Sequence, residues 1–277
     1  MGTRDLEQKV KTFEDIHDIV NAMKAYAGLN IRKTEQYIST VRTFEQNVFY
    51  ALAGLIAAFP VMTIPERTEG RSVLIVFGSD QGLCGAYNDR IADVVSTILK
   101  AGDALFVVGR RLESAIEQRE LRIADFMESA VSVEGIRDRM ETLLVKIMAV
   151  YSGADFFNLS VVFTTIIKNR AEIIIEQILP PDISKIRNVE FQLKKPLIYL
   201  KPETLLQKLI QEILYISVYL CYIEAIRSEN WYRIRSMESA SENITKNISD
   251  LEVARRYLRQ EDITAEILEI LGGSRLI

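Results

Sequence analysis

Both ends of this chain carry a hydrophobic period that only a very long helix can satisfy. From Phe13, the positions Ile16, Val20, Met23, Ala27, Ile31, Thr34, Ile38, Val41, Val48, Leu52 and Leu55 follow alternating spacings of three and four, with one missed step. That heptad-like seam is the period of a coiled coil, whose stripe must meet a partner helix. No proline precedes Pro60, and Gly28 and Gly54 each cost only about 1 kcal/mol against Ala. A helix over 3–58 would run ~84 Å. The period returns after Pro202, where Leu206, Leu209, Ile213, Ile216, Leu220 and Ile223 step by three and four. Ile234, Met237, Ser241, Ile244, Ile248, Leu251 and Leu258 resume it, and nothing stops it before Gly272-Gly273. A helix over 203–271 would be ~100 Å long. A compact globule of this length has a radius of only ~19 Å. The sequence therefore predicts an elongated protein, a rod built from both chain ends.

Between the two seams the period changes. Ser72–Phe77 is a short apolar run followed by Gly78, and Ala104–Val108 is another; both read as buried strands. Asn88–Lys100, Arg110–Arg119 and Val133–Tyr151 read as helices. Phe157–Thr165 and Glu172–Leu179 read as strands, with Lys168-Asn169-Arg170 as the turn between them, and Pro180-Pro181 closes the region. Strand–helix alternation predicts an α/β layer with a mostly parallel sheet, and leaves room for an antiparallel hairpin at one edge. The expected segments are an N-terminal helix over 1–60, an α/β domain over 70–195 and a C-terminal helix over 203–277 that packs on the first. By class this is α/β, or α+β by content.

Composition narrows the chemistry. Lys and Arg total 34 against 38 Asp and Glu, a net charge of −4 with pI about 5.4. That balance gives no support to nucleic-acid binding, which calls for a basic face. The two cysteines, Cys84 and Cys221, form neither a disulfide framework nor a CxxC pair. A single histidine, His17, excludes an HExxH zinc helix. The chain opens Met-Gly-Thr-Arg-Asp, without a basic-then-apolar leader, so a cytoplasmic-side protein is the expectation. No charge occurs between Glu45 and Glu66, but Pro60 cuts that stretch, and Ile213–Ile223 falls short of the ~20 apolar residues a membrane span needs. Buried helix is the expected state of both.

Gly78-Ser-Asp-Gln-Gly-Leu-Cys-Gly85 is the most conspicuous local motif. A Gly-rich loop between strand and helix can cradle phosphate at a helix N-terminus. This one lacks the Gly-Lys-Ser/Thr ending of a P-loop, and its glycines do not fit GxGxxG, so a structural turn or a protein contact is the better reading. Cys84 as a nucleophile would need an activating base, and the only histidine lies on the N-terminal helix; a buried or contact-surface thiol is expected instead. Glu113, Glu117 and Glu120 lie on a charged face where solvation is the ordinary state. His17, between Asp15 and Asp18, reads as a surface imidazole. Trp231 and Tyr232 are adjacent on a helix and cannot share a face, so one is expected on the seam and the other outward. No trio of acid, base and nucleophile emerges, which argues against a stand-alone enzyme.

Three segments resemble one family, the γ subunit or central rotor shaft of F-type ATP synthases. Ile19-Val-Asn-Ala-Met23, Ala27 and Ile31-Arg-Lys33 are similar to its I-T-x-A-M…A…M-R-K; Ser79–Asn88 is similar to S-D-R-G-L-C-G-x-x-N. Ser228-Glu229, Arg233, Met237, Ala240 and Arg259–Gly273 resemble S-E…R-M…A-M and R-Q-A-x-I-T-x-E-[IL]-x-E-I-[VI]-x-G. The likeness runs through the chain in order. Departures are Trp231 and Tyr232 where alanines are usual, Glu261 for Ala, Gln81 for Arg, Lys24 and Tyr26 for smaller or apolar residues, and the tail Gly273-Ser-Arg-Leu-Ile277. These are changes a divergent branch would carry, such as an alternative sodium- or proton-translocating enzyme.

The resemblance implies a long antiparallel coiled coil of the terminal helices with an inserted Rossmann-like α/β domain. It implies α and β subunits of a catalytic ring, an ε subunit and a membrane c ring as partners, no nucleic acid, no cofactor or metal, and no catalytic residues in this chain. It places the protein peripherally on the cytoplasmic face of a bacterial or archaeal membrane. Residue by residue it carries partner contacts to Met23, Cys84, Arg233, Arg259, Gln260 and Thr264, with Cys84 near an acidic loop of β. The competing reading is a stand-alone α/β small-molecule-binding protein with a coiled-coil oligomerisation arm.

Overall fold

A computed structural model describes residues 3–60, 70–153, 156–181 and 198–273. The segment 182–195 of the expected α/β domain, positions 61–66 of the charge-free stretch, the tail 274–277 and the first two residues lie outside the described residues. The elements are α1 (Thr3–Ala58), β1 (Arg71–Phe77), α2 (Tyr87–Ile98), β2 (Ala104–Val108), α3 (Arg110–Glu117), β3 (Asp125–Met127), α4 (Ile136–Gly153), β4 (Phe156–Ile167), β5 (Arg170–Leu179) and α5 (Pro202–Gly273). Both terminal seams are helical, over 56 residues in α1 and 72 in α5. This is a mixed α/β fold with a parallel-dominated sheet and a long C-terminal helix, as the periodicity predicts.

The chain divides into two compact units, Leu29–Tyr232 and a second made of Met1–Gly28 with Arg233–Ile277. In the larger unit the five strands run in the order β3-β2-β1-β4-β5. β1 is parallel to both β2 and β4, β2 is parallel to β3, and β4–β5 is antiparallel. The hairpin turns through Lys168 (φ 46°) and Asn169 (φ 63°). Two successive left-handed residues match the right-handed twist of the flanking strands, so Arg170 belongs to β5 and not to the turn. β3 was not visible as a periodic element, because three residues are too few to show one. The region 133–151 begins with a 3-10 turn over Val133–Gly135 before α4.

Side chains alternate across the sheet, and each face of it is covered. Val73, Ile75, Phe77, Phe106, Val108, Val161 and Phe163 point into a core shared with Ile38 and Val41 of α1, Ile136, Met140 and Ile147 of α4, and Leu214–Ile226 of α5. Leu74, Val76, Leu105, Val107 and Val162 point the other way, onto Ile91 and Val95 of α2 and Leu112 and Ile116 of α3. Burial on both sides is why β1 and β2 read as unbroken apolar runs. Val48, Leu52 and Ala53 bury against Ile213, so the first charge-free stretch is helix up to Ala58, buried along one side and exposed at Tyr50 and Ala51 on the other. Within Pro202–Leu268, α5 is long and apolar enough by composition to cross a membrane, but 61% of that apolar window is buried inside the protein.

α5 is fastened to the sheet by polar groups as well as by packing. The Tyr222 ring stacks on Phe77 with centroids 4.4 Å apart. Its oxygen accepts from the Ala130 N–H at 2.6 Å, and burial pushes its pKa up to about 12. Tyr87, also raised, chiefly by burial, donates to the Ala225 carbonyl at 3.2 Å. Ser228 Oγ donates to the Thr164 carbonyl at 2.6 Å. On the α1 side, Lys33 Nζ donates to Glu134 Oε1 at 2.7 Å. That bond, joined by one from Ser132, holds the Glu134 pKa at about 2 against an ordinary 4.5. The folded value is depressed, so the pair's stabilisation is fully present above pH 4.5 and is gone once pH has fallen through about 2. Both side chains are about half exposed, and solvent screening limits the contribution to about 0.2–1 kcal/mol. Lys33→Met should flatten the stability–pH curve in that window, as read by urea denaturation; an unchanged slope would refute the assignment.

Candidate functional site

The Gly-rich loop lies at the carboxyl ends of β1 and β2, and its groups are spent on one another. Gly78 N–H donates to the Val108 carbonyl at 2.8 Å. Asn88, at the start of α2, accepts from the Ser79 N–H at 3.0 Å and donates to Ser79 Oγ at 2.8 Å. Ser79 Oγ in turn donates to the Gln81 carbonyl at 3.0 Å. The N-terminal turn of α3, where an anion would be received, holds the loop's own acceptors. Arg110 N–H donates to Asp80 Oδ1 at 2.7 Å, and Arg111 N–H to the Ser79 carbonyl at 2.9 Å. Gly78 and Gly109 allow this closure. A Cβ on Gly78 would sit 2.3 Å from Leu112 Cβ, and one on Gly109 would sit 2.7 Å from the Gly78 carbonyl carbon. The geometry is that of a self-satisfied turn.

The loop exposes Gln81 and, at its tip, an apolar and strained residue. Leu83 adopts φ 64°, a region costly for a side chain of its kind, and is 57% exposed. Cys84 turns inward, 2% exposed, with Sγ 3.4 Å from Ser79 Oγ. Beside the tip lies an open cavity of about 410 Å³ lined by Leu83, Cys84, Asp89, Arg111, Ser114 and Gln118 among others. An apolar tip beside a guanidinium is suited to contact with another protein.

The remaining contact candidates lie in the smaller unit. Met23 is half-buried and packs into a cluster with Phe13, Val20, Met237, Ala240, Ile244 and Ile248. Lys24 pairs with Glu238 at 3.0 Å. His17 is half-buried rather than a free surface imidazole, with Nε2 2.9 Å from Ser241 Oγ: the seam, not the flanking aspartates, claims it. As residue numbers rise along α1 they fall along α5, so the two segments run in opposite senses. Arg233 is buried at 5% exposure. Arg259, Gln260 and Thr264 are exposed on α5, where Thr264 Oγ1 donates to the Gln260 carbonyl at 2.7 Å. Exposed Tyr257, Ile263, Ile267 and Leu268 accompany them.

Trp231 and Tyr232, in the larger unit, depart from expectation, since both are half-buried. Tyr232 lies against Tyr87 with centroids 5.3 Å apart, and Trp231 Nε1–H donates to Asn169 Oδ1 at 3.4 Å. Their rings also meet edge to face, with centroids 5.3 Å apart and planes at 82°, so the expected split of one on the seam and one outward does not hold: each meets the α/β body. Glu224, next after the apolar stretch Ile213–Ile223, is a residue that sequence reasoning did not single out. Its side chain is 3% exposed and bonded to two arginines. A carboxylate between Ile223 and Ala225 in a core stripe was the available signal.

A family model described as ATP synthase matches residues 2–275. The chain belongs to the ATP synthase family. The ATP synthase gamma chain of Heliobacterium modesticaldum is 26% identical over 288 aligned residues, covering 99% of this chain and 98% of the relative. The gamma chain of Mycolicibacterium smegmatis is 27% identical, covering 99% and 97%. Among solved structures, a chain of the Euglena gracilis mitochondrial ATP synthase, described as OSCP/F1/c-ring, superposes with a TM-score of 0.66 at 15% identity, covering 99% of this chain and 93% of that one. A chain of the Tetrahymena thermophila mitochondrial ATP synthase central stalk and c-ring gives 0.60 at 17%, covering 80% and 99%. These structural likenesses support the fold; membership of the ATP synthase family rests on the near full-length sequence match.

Proposed function

We propose that this chain is the γ subunit, the central rotor shaft, of an F-type ATP synthase. In this reading it couples ion flow through a membrane c ring to ATP synthesis or hydrolysis in a ring of α and β subunits, with ε bound at its foot. The observation that carries it is the end-to-end sequence likeness to gamma chains, with no segment of the chain left over for another activity. The opposed segments of α1 and α5 support an antiparallel coiled coil, and a shaft transmits torque only if its helices are stiff and laterally locked. The working division is a helix over 1–60, an α/β domain over 70–195 and a helix over 203–277. The subunit contributes no catalytic residue, and the complex sits peripherally on the cytoplasmic face of its membrane. The small-molecule reading depended on the Gly-rich loop, whose groups bond to one another.

The partner contacts follow the same assignment. Arg259, Gln260 and Thr264 grip the catalytic ring, with Met23 and Arg233 on the shaft, while the Leu83 tip faces an acidic loop of β and Cys84, buried behind it, lies near that loop without touching it. Exposed polar groups bonded to a partner contribute ~0.5–1.5 kcal/mol each, more when charged. Gln260→Leu with Thr264→Val should therefore lower ATPase turnover of the assembled complex several-fold while leaving helicity and assembly intact. The check is purification by a tag on this chain, which should bring down α and β subunits, followed by turnover assay. A tagged chain that recovers neither subunit sinks the rotor reading; full turnover in the double mutant sinks only the contact assignment.

A further inference from the structure

Among the described acidic and basic residues of the larger unit, Glu224 is the most completely enclosed, at 2% residue exposure. Three elements converge on its two oxygens. Arg42 Nη2, from α1, donates to Oε1 at 2.7 Å. Arg227 Nη2, one turn further along α5, lies 2.7 Å from Oε2, and Thr165 Oγ1, from β4, donates to the same oxygen at 3.0 Å. Arg227 reaches on to the Ile166 carbonyl at 3.2 Å. A buried carboxylate is retained at a desolvation cost that apolar packing would avoid. Its return is directional, because charge-assisted bonds to three elements fix their register in a way that sliding apolar surfaces do not.

We propose that Glu224 is a positioning residue for torque transfer, a clamp that locks α1, α5 and the β4–β5 hairpin so that twist applied to the helices reaches the sheet without slip. This rests on the rotor reading given above. The neighbouring contacts reinforce the same joint, since Ser217 Oγ donates to Glu45 Oε1 at 2.9 Å and Asn30 Nδ2 lies 3.4 Å from Asn230 Oδ1. Neither of those polar contacts joins the sheet, however. Among the described residues, the Glu224 carboxylate is where a single side chain bonds to both long-helix segments and to a strand.

A glutamine at this position keeps the shape but removes the charge and offers one acceptor oxygen, and its amide donor must face an arginine either way, Arg42 at one position or Arg227 beside Thr165 at the other. One arginine bond is therefore lost whichever way the amide turns, and the bonds that remain lose their charge assistance. The intact complex, tagged on this chain and reconstituted into sealed vesicles, allows ATP hydrolysis and ion uptake to be measured together. Glu224→Gln should leave hydrolysis within about two-fold of wild type and lower ions pumped per ATP at least three-fold. Arg42→Gln cuts only the α1 leg at a half-exposed residue, so it tests the clamp without relying on tolerance of the core change; it should lower the ratio by at least half that factor. The double variant should be no worse than Glu224→Gln alone, because both act on one joint. A ratio equal to wild type in assembled Arg42→Gln complex overturns the proposal, as does a parallel fall of hydrolysis and pumping in Glu224→Gln. Failure of the wild-type chain to co-assemble with α and β overturns the rotor reading itself, and the clamp with it.

Discussion

Gly109→Ala is expected to destabilise the larger unit by roughly 2–6 kcal/mol, from strain and overpacking combined. Gly109 sits at φ 113°, a backbone conformation that side-chain-bearing residues rarely adopt. The added Cβ would meet the Gly78 carbonyl carbon at 2.7 Å, the Gly78 oxygen at 2.9 Å and the Ser79 nitrogen at 2.9 Å. All three are backbone atoms of the turn that closes β1, so no flexible side-chain end can move aside. Relief requires moving the Gly-rich loop or the start of α3, and the Asp80 and Ser79 bonds to Arg110 and Arg111 hold both. A protein of ordinary stability has only ~5–15 kcal/mol in total, so a large share is at stake. Chemical denaturation of the variant checks this against Gly28→Ala as a control. Gly28 lies inside α1 with nothing within 4 Å of a new Cβ, so alanine there should be stabilising by ~0.5–1 kcal/mol. Equal stability of the two variants would refute the argument.

Tyr222→Ala should be at least as damaging, for a different reason. The side chain is fully buried and among the largest in the core, and truncating a large buried ring costs about 3–5 kcal/mol. It would also leave the Ala130 N–H, now bonded at 2.6 Å, without its acceptor, which adds ~1–3 kcal/mol. Tyr222→Phe keeps the stack on Phe77 and loses only the oxygen, so it separates the two contributions. Thermal melts should place the phenylalanine variant between wild type and alanine. A phenylalanine variant as unstable as the alanine one would mean that the ring stack contributes little.

Much of the fold was legible because long-range order repeats itself in the chain. Two seams with the same alternating step demanded two long helices. β1 and β2, covered on both faces, left unbroken apolar runs, while Lys168-Asn169 carried the turn of the hairpin. β3 escaped because its three residues pair through the backbone and leave no pattern. The 3-10 turn before α4 escaped because Val133 continues the apolar period even though the backbone does not continue the helix. Of the candidate site, the Gly-rich loop was located by its composition, but its internal bonding was not: which acceptor Arg110 N–H finds depends on β1 and β2 lying side by side. For Trp231 and Tyr232 helical geometry gives only the directions in which the side chains leave the helix, neither the surfaces they meet nor the edge-to-face contact their rings make. The Glu224 joint joins residues up to 182 positions apart, a separation at which sequence period is silent.

The face of the sheet built from Val73, Ile75, Phe77 and Phe106 is closed by Leu214–Ile226, which lie more than a hundred positions further along the chain. A polypeptide leaves the ribosome from its amino end, so β1, β2 and β4 emerge well before the helix that covers them. No stretch ending before residue 214 contains the side chains that complete this core. α1 and α4 can cover part of that side earlier, but it stays incompletely shielded until the last quarter of the chain arrives. The α/β region is in this sense not a module that could be excised and kept. Its lid is held in reserve by the order of synthesis, and the same late helix that finishes the core also finishes the long-helix pair.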